Sequence, residues 1–368
     1  MADKSTTGIL PGHQISELVQ SGGIVPSVPL TSDQIQPASL DLRLGNIAYR
    51  VRASFLPGPS LTVADRLSTL TLHEFDISGG AVFETNCVYI VPLVEGLKLP
   101  PDLSASANPK SSTGRLDIFT RVIIDKAREF DNVPVGYAGP LYLEISPRTF
   151  PIIARAGSRL SQIRFRRGVT RLTDAEHLAL HRKANLVDGM PNINNGIAIS
   201  IDLTGASSGP GGFVGFRAKR HTGLVDVDKR ALCEVLDFWE PIPPHRRTEL
   251  VLDPDQFYIL VSREAVHVPP DYAAEMVPYD PLVGEFRVHY AGFFDPGFGH
   301  SEAGGDGSRA VLEVRSHEIP FILEHGQIVG RLAYEKMVER PKKLYGLDMG
   351  SNYQAQGLRL SKHFRALT

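Results

Sequence analysis

The chain has 368 residues, 42% of them hydrophobic, which is enough apolar material for two domains rather than one. Lysine and arginine total 39 against 41 aspartate and glutamate, so nothing in the charge argues for nucleic acid or an anionic membrane, and any bound phosphate must be met by local clusters. Two cysteines, Cys87 and Cys233, are too few for a paired Cys-x-x-Cys zinc site or a disulfide scaffold; with no signal-peptide pattern and no apolar run near about 18 residues, the expected address is the cytoplasm.

Thirty-four glycines and 27 prolines cut the apolar segments into short pieces, which predicts many strands and turns. Gln14-Ile15-Ser16-Glu17-Leu18-Val19 is a short amphipathic helix candidate, and Gln36-Pro37-Ala38-Ser39-Leu40-Asp41-Leu42-Arg43-Leu44-Gly45 an alternating strand ended by glycine. Val88 to Leu93 reads as a further strand. The proline-closed run Leu97 to Leu103 then leads into Asn108-Pro109-Lys110-Ser111-Ser112-Thr113-Gly114-Arg115-Leu116. Two adjacent hydroxyls, a lysine and an arginine make a compact donor set for a polyanion such as a triphosphate. The same spacing also fits a capped helix start, with Ser111 or Ser112 as N-cap and Arg115 solvated. Gly139 to Ile145, which carries Glu144, is the next predicted strand, followed by Pro151 to Ala154, a turn at Gly157, and Ile163-Arg164-Phe165.

The later chain repeats these landmarks. Asp102 and Asp271, Glu144 and Glu313, Pro151 and Pro320, and Gly157 and Gly326 are each 169 positions apart, a common register that identifies a tandem duplication. Ile199-Ser200-Ile201-Asp202-Leu203 is the looser counterpart of Ser39 to Leu42. The predicted organisation is a first domain over 1–168, a polar connector over 169–195 and a second domain over 196–368. The halves diverge in complementary ways. Stepping forward 169 positions from Ser111, Ser112 and Arg115 lands on Asp280, Pro281 and Gly284, which have lost the donors. The second half instead carries Ala291-Gly292-Phe293-Phe294-Asp295-Pro296-Gly297-Phe298, of which Phe130 to Tyr137 is a degraded copy. One composite site between the halves follows, with phosphate donors from the first and base and sugar contacts from the second; ordinary drift in an inactive copy is the plainer account.

Jointly these motifs resemble the dCTP deaminase and dUTPase family, the deaminase branch above all: Gln36 to Gly45 resembles its first motif, Ser111-Ser112-Thr113-Gly114-Arg115 its Ser-Ser-x-x-Arg motif, Asp295 to Phe298 followed by Val311-Leu312-Glu313 its hairpin and catalytic strand, and Tyr345 through Tyr353 to Gly357 its closing tail. The resemblance implies an all-β fold of two tandem dUTPase-like distorted jelly-roll β-barrels. It implies nucleotides at the interfaces between barrels, in a monomer with pseudo-symmetric halves or in a homo-oligomer. The implied substrate is dCTP and the product dUTP, with dTTP as a candidate feedback inhibitor. Ser111, Ser112 and Arg115, with Lys110 beside them, would face the triphosphate and the reacting end of the base. Ala291 would offer backbone contacts to the base, Val311 would line the pocket on the catalytic strand, and Asp295 would hold the sugar. Glu313 would be the acid/base, and Tyr345, Tyr353 and Gln356 would close over the phosphates. Asn352 stands where the family tail often has lysine, and a glycine-rich insertion, Ser301 to Ser308, lengthens the hairpin.

Deamination at C4 of cytosine needs an activated water and an acid for the leaving amine, and one carboxylate held against the base can serve both. Zinc deaminases carry His-x-Glu with Pro-Cys-x-x-Cys, a signature absent here, so the expected route has no zinc, and magnesium enters only with the triphosphate. Ser111 and Arg115 would order the water or the carboxylate, and Arg115 beside it would keep that carboxylate ionised. Glu144 matches the same strand position in the first half and becomes the catalyst if first halves pair with one another. Ala291 and Asp295 favour Glu313. Three rivals remain: a dUTPase, a bifunctional enzyme yielding dUMP and pyrophosphate, and a catalytically inactive nucleotide-binding regulator. Trp239 reads as packing, and the run Arg164-Phe165-Arg166-Arg167 as a solvated face.

Overall fold

The computed structural model describes residues 7–208, 212–278, 286–289, 292–316, 318–346 and 356–367. The fold is all-β. In the first half, Leu40–Leu42, Leu103–Pro109, Asn132–Val133 and Ser161–Arg167 belong to one sheet, and Ile47–Val51, Thr71–Asp76, Val88–Lys98, Ile118–Ile124 and Ala138–Pro147 to another. The second half repeats the plan, with Ile197–Ser200, Tyr272–Pro278, Phe293–Phe294 and Ile328–Lys336 in one sheet and Gly215–Ala218, Trp239–Ile242, Phe257–Val266, Phe286–His289 and Ser308–Ser316 in the other. The Val, Ile and Leu side chains of these strands are mostly buried, as suits the inner face of a pleated sheet. The longest helix, Asp174–Ala184, starts at a Thr173–Glu176 capping box and ends at left-handed Asn185. Among the described residues no helix is long and apolar enough to cross a membrane.

The repeat survives as strand register. Ile90 faces Glu144 as Ile259 faces Glu313, and Ala107 faces Ile163 as Met276 faces Leu332, every position shifted by 169. The register also corrects one expectation. Asp41 faces Gln162, and its counterpart facing Arg331 is Ala198, not Asp202. A slip of four residues keeps the same side chains inward, so alternation alone could not detect it. On the hairpin strands, Val133 faces Ala105 as Phe294 faces Ala274, which aligns Asp295 with Pro134.

The strand Phe257–Val266 divides its side chains between two cores. Tyr258 and Leu260 enter the second half's own core, while Phe257 and Ile259 join a cluster that is mostly first-half residues. Trp239 is fully buried in that cluster, with its ring centroid 5.3 Å from Phe150 and 5.9 Å from Phe364. A three-stranded sheet also crosses between the halves, with Val225–Asp226 running parallel to Ile152–Ala154. The two barrels are thereby fixed against each other.

Candidate active site

The contact between the halves encloses a cavity of about 490 Å³, lined by Asp41, Lys110, Ser111, Ser112 and Arg115 from the first half and by Asp295, Val311, Glu313, Tyr345, Gln356 and Lys362 from the second. The donor loop forms a single helical turn, Ser111–Gly114, whose N-cap position is Lys110 without any side-chain capping bond. Neither serine caps the turn, so the capped-helix alternative fails and both hydroxyls are left to line the chamber. Lys110 forms an ion pair with Asp41.

Arg115 is buried at the end of this turn and ties three segments together. Its Nη1 donates to the Arg359 carbonyl at 3.0 Å, its Nη2 to Gln356 Oε1 at 3.2 Å, and its Nε lies 3.8 Å from Glu313 Oε1. Gln356 in turn donates to the Arg309 carbonyl at 3.1 Å, so this tail residue braces the arginine against the strand that carries Glu313. Glu313 is only 6% exposed, and burial pushes its carboxyl up to about 8 against the opposing pull of Arg115. The expectation that Arg115 keeps it ionised is therefore corrected. At 3.8 Å the guanidinium is too far for a tight hydrogen bond, and desolvation outweighs its field.

A second cross-half anchor lies two residues along each segment. Arg315 donates to Asp117 and, at 3.0 Å, to Thr149 Oγ1, while Thr149 donates to Asp117 at 2.6 Å. Both charges are buried, and together they fix the Glu313 strand against the loop that carries Arg115.

Asp295 follows the hairpin strand Phe293–Phe294, its Oδ1 held by Arg164 Nη2 at 3.0 Å. Burial raises its carboxyl, opposed by Arg164. Arg164 is wholly buried, lies 4.1 Å from the Phe293 ring centroid and donates to the Ala274 carbonyl at 3.1 Å. It is no part of a solvated face, because the opposing half covers it. Tyr345 lines the chamber with its ring 5.8 Å from Phe298. Lys362 enters from the C-terminal segment, where Ser361 donates to the Ser112 carbonyl at 2.8 Å. Burial, reinforced by Lys110 and Arg230, lowers the Lys362 ammonium to about 8.

Glu144 is outside the chamber, buried and paired with Arg121 at 2.6 Å and 2.9 Å. Ala291 and Tyr353 lie outside the described residues, as do Asp280, Pro281, Gly284 and Asn352. Sequence reasoning missed Arg164, Lys362 and the Asp117–Arg315 pair. None sits in a recognisable motif; only the placement of Asp117 two residues after Arg115 was a signal. Among the described residues no group of three or more His, Cys, Asp or Glu side chains could hold a metal ion.

A family model described as the 2′-deoxycytidine 5′-triphosphate deaminase N-terminal domain matches residues 6–169, and one described as the C-terminal domain of the same enzyme matches residues 173–364. A crystal structure described as 2′-deoxycytidine 5′-triphosphate deaminase from Agrobacterium tumefaciens is 68% identical, covers 90% of this chain and 99% of its own, and superposes with a TM-score of 0.87. The dCTP deaminase of Acidianus ambivalens is 27% identical over 46% of this chain and 90% of its own length. A dUMP-forming dCTP deaminase of Methanobrevibacter smithii is 29% identical over 48% of this chain and 88% of its own. These relatives match about half of the chain with nearly all of theirs, as a duplicated barrel requires. The chain belongs to the 2′-deoxycytidine 5′-triphosphate deaminase family.

Proposed function

We propose that the chamber between the halves removes the 4-amino group of dCTP by hydrolysis, giving dUTP and ammonia, with Glu313 as the proton carrier. The observation that carries this reading is the buried Glu313 of the second half facing Arg115 of the first, above the Lys110–Ser111–Ser112 donor loop. Water adds to C4 while N3 takes a proton; the amine then leaves with a second proton and the carbonyl forms. A carboxyl held near neutrality by burial can give the first proton, take one from water and pass it on. Arg115 and Ser111 order the water and the carboxyl group.

Lys110, Ser111, Ser112 and Lys362 grip the triphosphate, and magnesium arrives with it. Asp295, its other oxygen held by Arg164, accepts a hydrogen bond from the deoxyribose. Val311 packs beside the base, Ala291 contacts it through the backbone, and Tyr345 and Tyr353 close the chamber. Because dTTP offers the same sugar and triphosphate, it competes for this grip. The cytoplasm, where the substrate is found, is the matching address. Incubation with dCTP and magnesium, followed for ammonia and pyrophosphate, tests the reading: ammonia without pyrophosphate is expected. Pyrophosphate formed in step with ammonia would make the chain dUMP-forming, and binding without either product would make it a regulator.

A further inference from the structure

We infer that the first half holds a closed copy of the pyrimidine pocket around Glu144, sealed by the chain's own residues 52–70, so that each chain works with one nucleotide site rather than two.

In the second half, Phe257, Ile259 and Val311 flank Glu313 and are buried against the first half. The residues 169 positions earlier are Val88, Ile90 and Tyr142, which flank Glu144. Among the described residues, their apolar neighbours all come from the first half. They pack in a separate cluster with Val63 and Leu67 of the helix Val63–Leu70, and with Phe55 and Leu70. That helix is held in place by a Thr62–Asp65 capping box and by Asp125, whose side chain accepts from the Val63 N–H at 2.8 Å.

The polar groups are matched as well. Glu313 faces an arginine from the other half, with Ser111 and Ser112 nearby in the same chamber. Glu144 is paired with Arg121 from its own sheet at 2.6 Å, and Arg121 donates to Ser54 Oγ at 2.7 Å. Arg121 also lies 3.5 Å from the centroid of the Phe130 ring, an aromatic at the sequence position that Ala291 holds in the second half. The hairpin aspartate is missing too, since Pro134 occupies the Asp295 position.

Topology explains how one sequence plan gave two outcomes. Residues 52–70 join the paired strands Ile47–Val51 and Thr71–Asp76, and residues 219–238 join the paired strands Gly215–Ala218 and Trp239–Ile242. The first excursion folds back over its own sheet. The second crosses to the other half, pairs Val225 with Ile152, salt-bridges Asp226 to Arg155 at 2.8 Å and brings Asp228 and Arg230 to the chamber. The same connection closes one face and builds the wall of the other.

The inference rests on the nucleotide reading of the chamber, and the experiment separates the two. Titration of the full wild-type chain with dUTP in a calorimeter is expected to give one nucleotide bound per chain. Hydrogen exchange on the same complex is expected to slow at 111–115 and 311–313 and to stay unchanged at 142–144. Two nucleotides per chain, or new protection at 142–144, would overturn the closure while leaving the nucleotide reading in place. No binding of dUTP at all would remove the chamber's nucleotide reading and this inference with it.

Discussion

Replacing Glu313 by glutamine should sharply lower activity and, above neutral pH, make the protein more stable. The carboxyl titrates at about 8 in the folded chain against a reference of 4.5, because burial penalises its charge. Between these values the native state holds a proton that the unfolded chain releases, so the contribution of Glu313 to stability is present at low pH and is lost as pH rises towards 8. That rise corresponds to roughly 5 kcal/mol of ionisation work, an upper figure for a buried group close to an arginine. Glutamine has nearly the same shape and carries no such cost. Melting temperatures should therefore coincide at about pH 4, below the reference value, and diverge by several degrees in favour of Glu313→Gln at about pH 8.5. The turnover number for dCTP should fall by about 10²- to 10⁴-fold, as expected for loss of a general acid/base. Scanning calorimetry across the pH range, alongside ammonia release, checks both. Melting curves that stay parallel from acid to alkaline pH would refute the claim that burial holds a proton on Glu313.

If Lys362 grips the triphosphate as proposed, Lys362→Met should raise the KM for dCTP by about tenfold or more with little change in kcat, while Lys362→Arg should largely restore it. Since burial lowers the Lys362 ammonium to about 8, the wild-type KM should climb above that pH, and Lys362→Arg should flatten the climb; steady-state kinetics across pH reads both. Asp117→Asn should strand the buried Arg315 and cost about 3–5 kcal/mol, seen as a lowered urea midpoint, with kcat reduced as the Glu313 strand loosens. Glu144→Gln should leave kcat within about twofold of wild type, because its carboxylate meets Arg121 and no part of the chamber.

What the sequence disclosed was whatever is locally encoded. The donor loop, the hairpin aspartate and the Val-Leu-Glu strand are short stretches of fixed spacing, and the duplication brought out their asymmetry because each half served as the reference for the other. The structure sets those stretches on the walls of one chamber. Contacts between distant segments were not legible. Arg164 sits in a run of basic residues that looks solvated, and only the hairpin from the other half, carrying Asp295, buries it. The charge state of Glu313 was misjudged for the same reason: proximity to Arg115 could be guessed, but the depth of burial could not. Asp202 looks like the counterpart of Asp41 because a slip of four residues preserves strand polarity; only the register shows that Ala198 holds that place.

The contact between the halves shows what duplication makes possible. Arg166 and Glu335 stand 169 positions apart, at the same place in their respective barrels, and they meet: Arg166 Nε lies 2.8 Å from Glu335 Oε1 and Nη2 lies 3.0 Å from Oε2. Glu275, the counterpart of Ser106, adds a second carboxylate 3.0 Å from the same guanidinium. In an assembly of identical barrels this position would set arginine against arginine or glutamate against glutamate, each largely cut off from water, which is strongly unfavourable. Once the barrels share a chain they are free to differ, and opposite charges at one equivalent site then allow unlike halves to pair and penalise like ones. A charge-reversal cycle measures this. Arg166→Glu alone and Glu335→Arg alone should each cost several kcal/mol in chemical denaturation, and the two together should recover part of the loss, a coupling of about 1–3 kcal/mol, the rest staying lost because Glu275 and Arg164 then face like charges. If the doubly reversed chain is no more stable than the sum of its single changes predicts, the pair contributes nothing to choosing the partner, and the unlike contact must be specified by the apolar surfaces alone.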